Sequence, residues 1–86
     1  MEVIFLPEAE SDLAYWVKTG NKTLIKRVAQ ITKSIIESPF TGIGKPEPLK
    51  FQLKGKWSRR IDKENRYIYK IEDNALIVYS LRGHYY

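Results

Sequence analysis

The chain has 86 residues and no cysteine, which excludes disulfide scaffolds and thiolate metal sites. At 43% hydrophobic and 13% aromatic it is too apolar for a disordered tail, and its length suits one domain, residues 1–86, around one core. Its net charge is +5, and nine of its fifteen cations lie from Lys45 to Lys70 against only Glu47, Asp62 and Glu64. A basic segment on a near-neutral body is the footprint of a polyanion binder, and equally of a solvated, solubilising face.

Val3 to Leu6 is β-branched and aromatic, the signature of a short buried first strand. That run is too short for a signal peptide, and no other stretch is long enough to span a bilayer, so a soluble, cytoplasmic protein without membrane contact is expected. Pro7 suits the first turn of a helix, and Glu8, Glu10 and Asp12 place negative charge at the positive end of its dipole. Ala9, Leu13, Trp16 and Val17 recur at helical spacing, Gly20 is a good stop, and Asn21 is a good N-cap for a second helix. Lys22 to Glu37 carries Leu24, Val28, Ile31 and Ile35 on one face, and Ser38-Pro39 ends it.

Phe40 to Pro48, rich in Gly and Pro, is a loop. Strand signals follow at Leu49 to Leu53, Trp57 to Ile61, Arg66 to Ile71 and Ala75 to Leu81, with turns at Lys54-Gly55, Asp62 to Asn65 and Glu72-Asp73-Asn74. The predicted fold is α+β, in the order β-α-α-β-β-β-β, with a two-helix hairpin on one face of a mostly antiparallel sheet. Alternation then puts Tyr67, Tyr69 and Ile71 under the helices and Arg66, Ile68 and Lys70 on the uncovered face. Either Arg59 or Arg60 joins Arg66 there. A slip of one residue exchanges the two, and the loop before Arg66 permits both registers.

Cleavage of RNA by its own 2′-hydroxyl needs a base, a positive group at the crowded phosphate and an acid for the leaving 5′-oxygen. Candidates are few. His84 is the only histidine, with an ordinary pKa of about 6.5, although it is also what a plain chain end can carry. Glu47 stands between Pro46 and Pro48 in a basic loop, either as a stiffly held carboxylate or as a surface glutamate balancing lysines. Arg66 offers a planar fork that can grip two phosphate oxygens, or a strand arginine paired to Glu64 or Glu72. Lys50, Arg59 and Arg60 are placed to hold an RNA backbone, and Tyr85 and Tyr86 to stack on a base or to pack the chain end. One histidine, no cysteine and no close carboxylate cluster make a poor metal site, so no metal or other cofactor is expected.

These residues also carry a resemblance. Gly44-Lys45-Pro46-Glu47-Pro48-Leu49-Lys50 resembles the signature block of YoeB-type toxins, the Txe/YoeB family within the RelE superfamily. Trp57-Ser58-Arg59-Arg60-Ile61, then Arg66 with Tyr69 three residues on, then His84-Tyr85 complete the pattern in order over essentially the whole chain. The resemblance implies a RelE-like microbial RNase fold and the toxin half of a toxin–antitoxin pair that cleaves messenger RNA in the ribosomal A site without a metal. It implies Glu47 as general base, Arg66 as transition-state stabiliser and His84 as general acid, with Tyr85 shaping the site and Lys50 and Arg60 near the RNA. The implied partners are a YefM-like antitoxin covering the basic cleft, the ribosome and its messenger RNA, and a second copy in a homodimer.

Two positions depart from the family pattern. Asn65 stands where a histidine often precedes the strand arginine, and Leu6-Pro7 where a polar helix cap is common. Two other function classes compete: a non-catalytic RelE/ParE-fold toxin that blocks its target by binding, and a simple nucleic-acid-binding module. Neither needs an acid and a base.

Overall fold

The computed structural model describes residues 1–83; His84, Tyr85 and Tyr86 lie outside the described residues. The elements are β1 (Glu2–Phe5), α1 (Pro7–Lys18), α2 (Lys22–Glu37), β2 (Glu47–Pro48), a 3-10 turn (Phe51–Leu53), β3 (Trp57–Arg60), β4 (Arg66–Glu72) and β5 (Ala75–Ser80). They form a sheet in the order β1-β5-β4-β3-β2, with β1 parallel to β5 and the other neighbours antiparallel. The expected helical layer covers one face.

Local chemistry accounts for the helix hairpin. Gly20 takes φ +71°, its N–H donates to the Val17 carbonyl at 3.2 Å, and the Asn21 N–H donates to the Trp16 carbonyl at 2.8 Å. This paired closure uses the last carbonyls of α1 and needs a left-handed residue, which glycine adopts without a Cβ clash. Asn21 then caps α2, its side-chain oxygen accepting from the Leu24 N–H at 3.2 Å.

The core joins Ala9 and Trp16 of α1 and Val28, Ile31 and Ile35 of α2 to Tyr67, Tyr69, Leu76, Val78 and Leu81. Val17, expected in the α1 stripe, is 62% exposed, and Asp12 takes the buried place between Ala9 and Trp16. Its carboxylate accepts the backbone N–H groups of Leu81 at 2.9 Å and Arg82 at 3.2 Å, so its acid serves the core rather than the helix dipole.

Two further features shape the open face. The strand expected at Leu49 to Leu53 is replaced by the short β2 and the 3-10 turn, because Phe51 takes φ +57° and leaves the extended path. In the β4–β5 ladder Ile68 faces Ser80 while Tyr69 faces Val78, which makes Tyr79 an extra residue on β5. Such a bulge rotates the strand beyond it, sending Ser80 to the face of Ile68 and Leu81 into the core.

Candidate active site

A line of paired residues crosses four strands. Glu47 faces Ser58, Ser58 faces Ile68, and Ile68 faces Ser80. Two positions along β3 from Ser58 is Arg60, which faces Arg66 on β4. Alternation along each strand places Glu47, Ser58, Arg60 and Arg66 on one side of the sheet, away from the helices. They line a cleft of ≈ 540 Å³ together with Lys50 and an apolar wall of Pro48, Leu49, Phe51 and Leu53.

The loop before β2 delivers Glu47 to this position. Gly44 and Lys45 both have positive φ, +80° and +55°, and the Gly44 carbonyl accepts the Arg60 N–H at 2.6 Å. A Cβ on Gly44 would lie 3.1 Å from both the Arg60 carbonyl and the Arg59 Cβ. Only a glycine lets the loop lie this close against β3, and that close approach brings Glu47 level with Ser58.

Charge in the cleft is unspent. Among the described residues, Glu47, Lys50, Arg60 and Arg66 take part in no ion pair. Glu72 pairs with Lys70 at 3.4 Å instead of with Arg66. The Arg66 Nη1 donates to the carbonyls of Asp62 at 2.8 Å and Asn65 at 3.2 Å, which orients the fork without neutralising it. Two guanidinium groups facing each other on adjacent strands repel, so this surface suits an anion.

Arg59 is a correction. It was a candidate for holding RNA, but it is fully buried on the helix side of the sheet. Its Nε donates to the Tyr69 hydroxyl at 3.2 Å, and its Nη1 to the Ser34 hydroxyl at 2.7 Å and the Ile43 carbonyl at 3.2 Å. Its Nη2 donates to the carbonyls of Ser38 at 2.8 Å and Thr41 at 2.9 Å. Tyr69 in turn donates to the Pro39 carbonyl at 2.7 Å. The buried charge thus faces the C-terminal end of α2 and a ring of carbonyl dipoles, and it ties down the loop that leads to Glu47. Alternation leaves Arg60 as the partner of Arg66 in the cleft.

The turn before Arg66 is closed by Asp62, whose carboxylate accepts from the backbone N–H of Glu64 at 2.8 Å and of Asn65 at 2.7 Å. Asn65 then reaches the chain end, its side-chain oxygen accepting the Gly83 N–H at 2.9 Å, while the Arg66 N–H donates to the Gly83 carbonyl at 3.0 Å. His84 and Tyr85, candidate acid and candidate base-stacking residue, follow Gly83 in sequence and lie outside the described residues. Sequence reasoning passed over Ser58, although its spacing of two from Arg60 was the available signal.

Known proteins match this chain along its length. A family model described as YoeB-like toxin of bacterial type II toxin-antitoxin system matches residues 5–85. The Toxin YoeB of Escherichia coli O6:H1 is 42% identical over 85 residues, 99% of this chain and 100% of that protein. A solved YoeB/ParE toxin from Agrobacterium tumefaciens superposes with a TM-score of 0.95 at 32% identity, covering 99% of this chain and 100% of that one. A YoeB from Staphylococcus aureus, solved as a YoeB-YefM complex and as a dimer, gives TM-scores of 0.89 and 0.90 at 38% and 37% identity, covering 99% of this chain and 98% of that one. A chain that carries the expected fold, gathers Glu47, Arg60 and Arg66 in one cleft and matches the family over residues 5–85 belongs to the YoeB-like toxins of bacterial type II toxin–antitoxin systems.

Proposed function

We propose that this toxin is an endoribonuclease that cuts messenger RNA in the ribosomal A site, using the RNA's own 2′-hydroxyl and no metal. The reading rests on one observation above all: a carboxylate, Glu47, shares an open cleft with two guanidinium groups, Arg60 and Arg66, that make no ion pair among the described residues. Glu47 takes the 2′-hydroxyl proton, and the oxygen attacks the adjacent phosphorus. Arg66 grips the phosphoryl oxygens as charge builds on them, and the imidazolium of His84 protonates the departing 5′-oxygen. The products are a 2′,3′-cyclic phosphate and a 5′-hydroxyl. Lys50 and Arg60 hold the RNA backbone, which positions the strand and carries little sequence information. Tyr85 shapes the site around the base.

The same cleft is where an antitoxin would act. The Staphylococcus aureus relative has been solved with YefM and as a dimer. A YefM-like antitoxin carrying acidic groups would neutralise Lys50, Arg60 and Arg66, and a homodimer is the expected state of the free toxin.

The test is induced expression of the wild type, Glu47→Gln and His84→Gln, with mapping of messenger RNA ends. New ends inside translated codons are expected for the wild type only. Equal cutting by both variants would remove the acid and base assignments, and growth arrest without any cutting would favour a toxin that acts by binding.

A further inference from the structure

We propose that Asn65 is a positioning residue that fixes the Gly83 peptide, from which the sequence continues to His84, and acts on catalysis through it. The proposal rests on the reading of His84 as general acid.

Leu81, Arg82 and Gly83 are held on two sides. From the helix side, the buried carboxylate of Asp12 accepts the N–H groups of Leu81 and Arg82, and the Arg82 guanidinium lies 3.7 Å from the centre of the Tyr15 ring. From the start of β4 and the turn before it, the Gly83 N–H donates to the Asn65 side-chain oxygen at 2.9 Å and the Gly83 carbonyl accepts the Arg66 N–H at 3.0 Å. The Asn65 amide is oriented by its other end, where Nδ2 donates to both oxygens of the Asp62 carboxylate at 3.0 and 3.2 Å. An amide is needed to donate at one end and accept at the other. Asp62, Asn65 and Gly83 therefore form one chain of hydrogen bonds, and it ends on the residue whose next neighbour in sequence is His84.

Gly83 makes this tether necessary. Its φ is +80° and a Cβ there would meet nothing within 4 Å, so a side chain at this position would add no packing contact. Glycine has the widest conformational choice of any residue, and a hydrogen bond to each side of its peptide units restricts it. Arg66, the group meant to hold the phosphate, supplies one of those bonds from its own N–H. Gly83 and the phosphate clamp thus share a single backbone frame, with Asn65 as the part made by a side chain.

The experiment is single-turnover and steady-state cleavage by the purified full-length toxin on ribosomes programmed with messenger RNA, together with amide exchange at Gly83. Asn65→Ala is expected to lower kcat by about 10- to 100-fold, the loss that a misplacement of ~1 Å produces. KM should stay within about twofold, since a positioning residue does not bind substrate. Gly83 N–H exchange should accelerate, and in a His84→Gln background Asn65→Ala should cause no further loss. Asn65→Gln, which keeps the amide but shifts it by one methylene, should lose kcat in the same direction if the alanine variant folds poorly.

An unchanged kcat in Asn65→Gln, an effect confined to KM, or the same fold-loss with and without His84 would each overturn the proposal. Failure of the underlying reading looks different: His84→Gln would itself cleave like the wild type.

Discussion

Arg60 and Arg66 stand directly opposite each other across the β3–β4 ladder, on the sheet face away from the helices. Like charges facing across a ladder cost stability, so this arrangement suits an anionic ligand better than it serves the fold. Arg60→Gln should therefore raise the folding stability by about 0.2–1 kcal/mol. The same variant should raise KM and flatten the salt dependence of RNA binding by roughly one phosphate contact, with kcat little changed. Arg66→Lys keeps the charge and loses the fork, and is expected to lower kcat about 100-fold or more. Urea unfolding and cleavage titrated against salt measure both.

Arg59 provides the contrasting case one residue earlier. Arg59→Met would strand the carbonyls of Ser38, Thr41 and Ile43, all accepting from the guanidinium in the native fold. A loss of about 3–5 kcal/mol is expected, since each buried acceptor left without a donor costs about 1–3 kcal/mol. Limited proteolysis should then cut first between Thr41 and Pro46, since that loop loses its anchor. A variant as stable as the wild type in urea would show the network to be dispensable.

The loop around Arg59 also demands glycine at a particular place. Gly42 has φ +124°, and a Cβ there would collide with the Ser34 hydroxyl and come within 3.0 Å of the Arg59 Nη1. Gly55 has φ +95°, yet a Cβ there meets nothing within 4 Å. Both alanine variants carry a backbone cost of roughly 1–3 kcal/mol, and Gly42→Ala adds the displacement of a hydrogen-bonded guanidinium. Gly42→Ala should be the more destabilised of the two by thermal unfolding; equal effects would mean that Ser34 and Arg59 yield freely.

Burial pushes the phenols of Tyr67 and Tyr69 above their ordinary value near 10. A group whose folded pKa is raised keeps its proton in the native state after the unfolded chain has lost it. The stability it contributes is complete below pH ~10 and falls as pH climbs from there toward the folded value. The unfolding free energy should hold between pH 9 and 10 and decline toward pH 11 and above, by up to ~1.4 kcal/mol per pH unit for each tyrosine. The Thr32 hydroxyl donates to the Val28 carbonyl at 2.8 Å, so at 2.8 Å from Tyr67 it is the acceptor of that phenol's proton. Tyr67→Phe should cost about 1 kcal/mol near neutrality and make the alkaline decline shallower. An alkaline slope identical to that of the wild type would contradict a buried phenol at this position.

The amino-acid order alone determined the helices, the turns and the chemical inventory of the site. Helical spacing, the Gly20-Asn21 junction and Ser38-Pro39 are local signals, and hydrogen bonds within a few residues realise them. Glu47, Lys50, Arg60 and Arg66 could likewise be named from residue type and from the blocks they stand in. What tertiary structure decided was the side of the sheet each residue faces. Adjacent arginines differ only by register, and the register of β3 is set by pairing with β4 and by the carbonyls that the α2 end and its loop offer to Arg59. Leu49 to Leu53 read as a strand from composition, and the positive φ of Phe51 turned it aside. Asp12 read as a dipole partner, and the N–H groups that donate to its carboxylate lie 69 and 70 residues further on, a distance no local pattern encodes. Periodicity reports which residues share a face, whereas only long-range pairing chooses which face is buried.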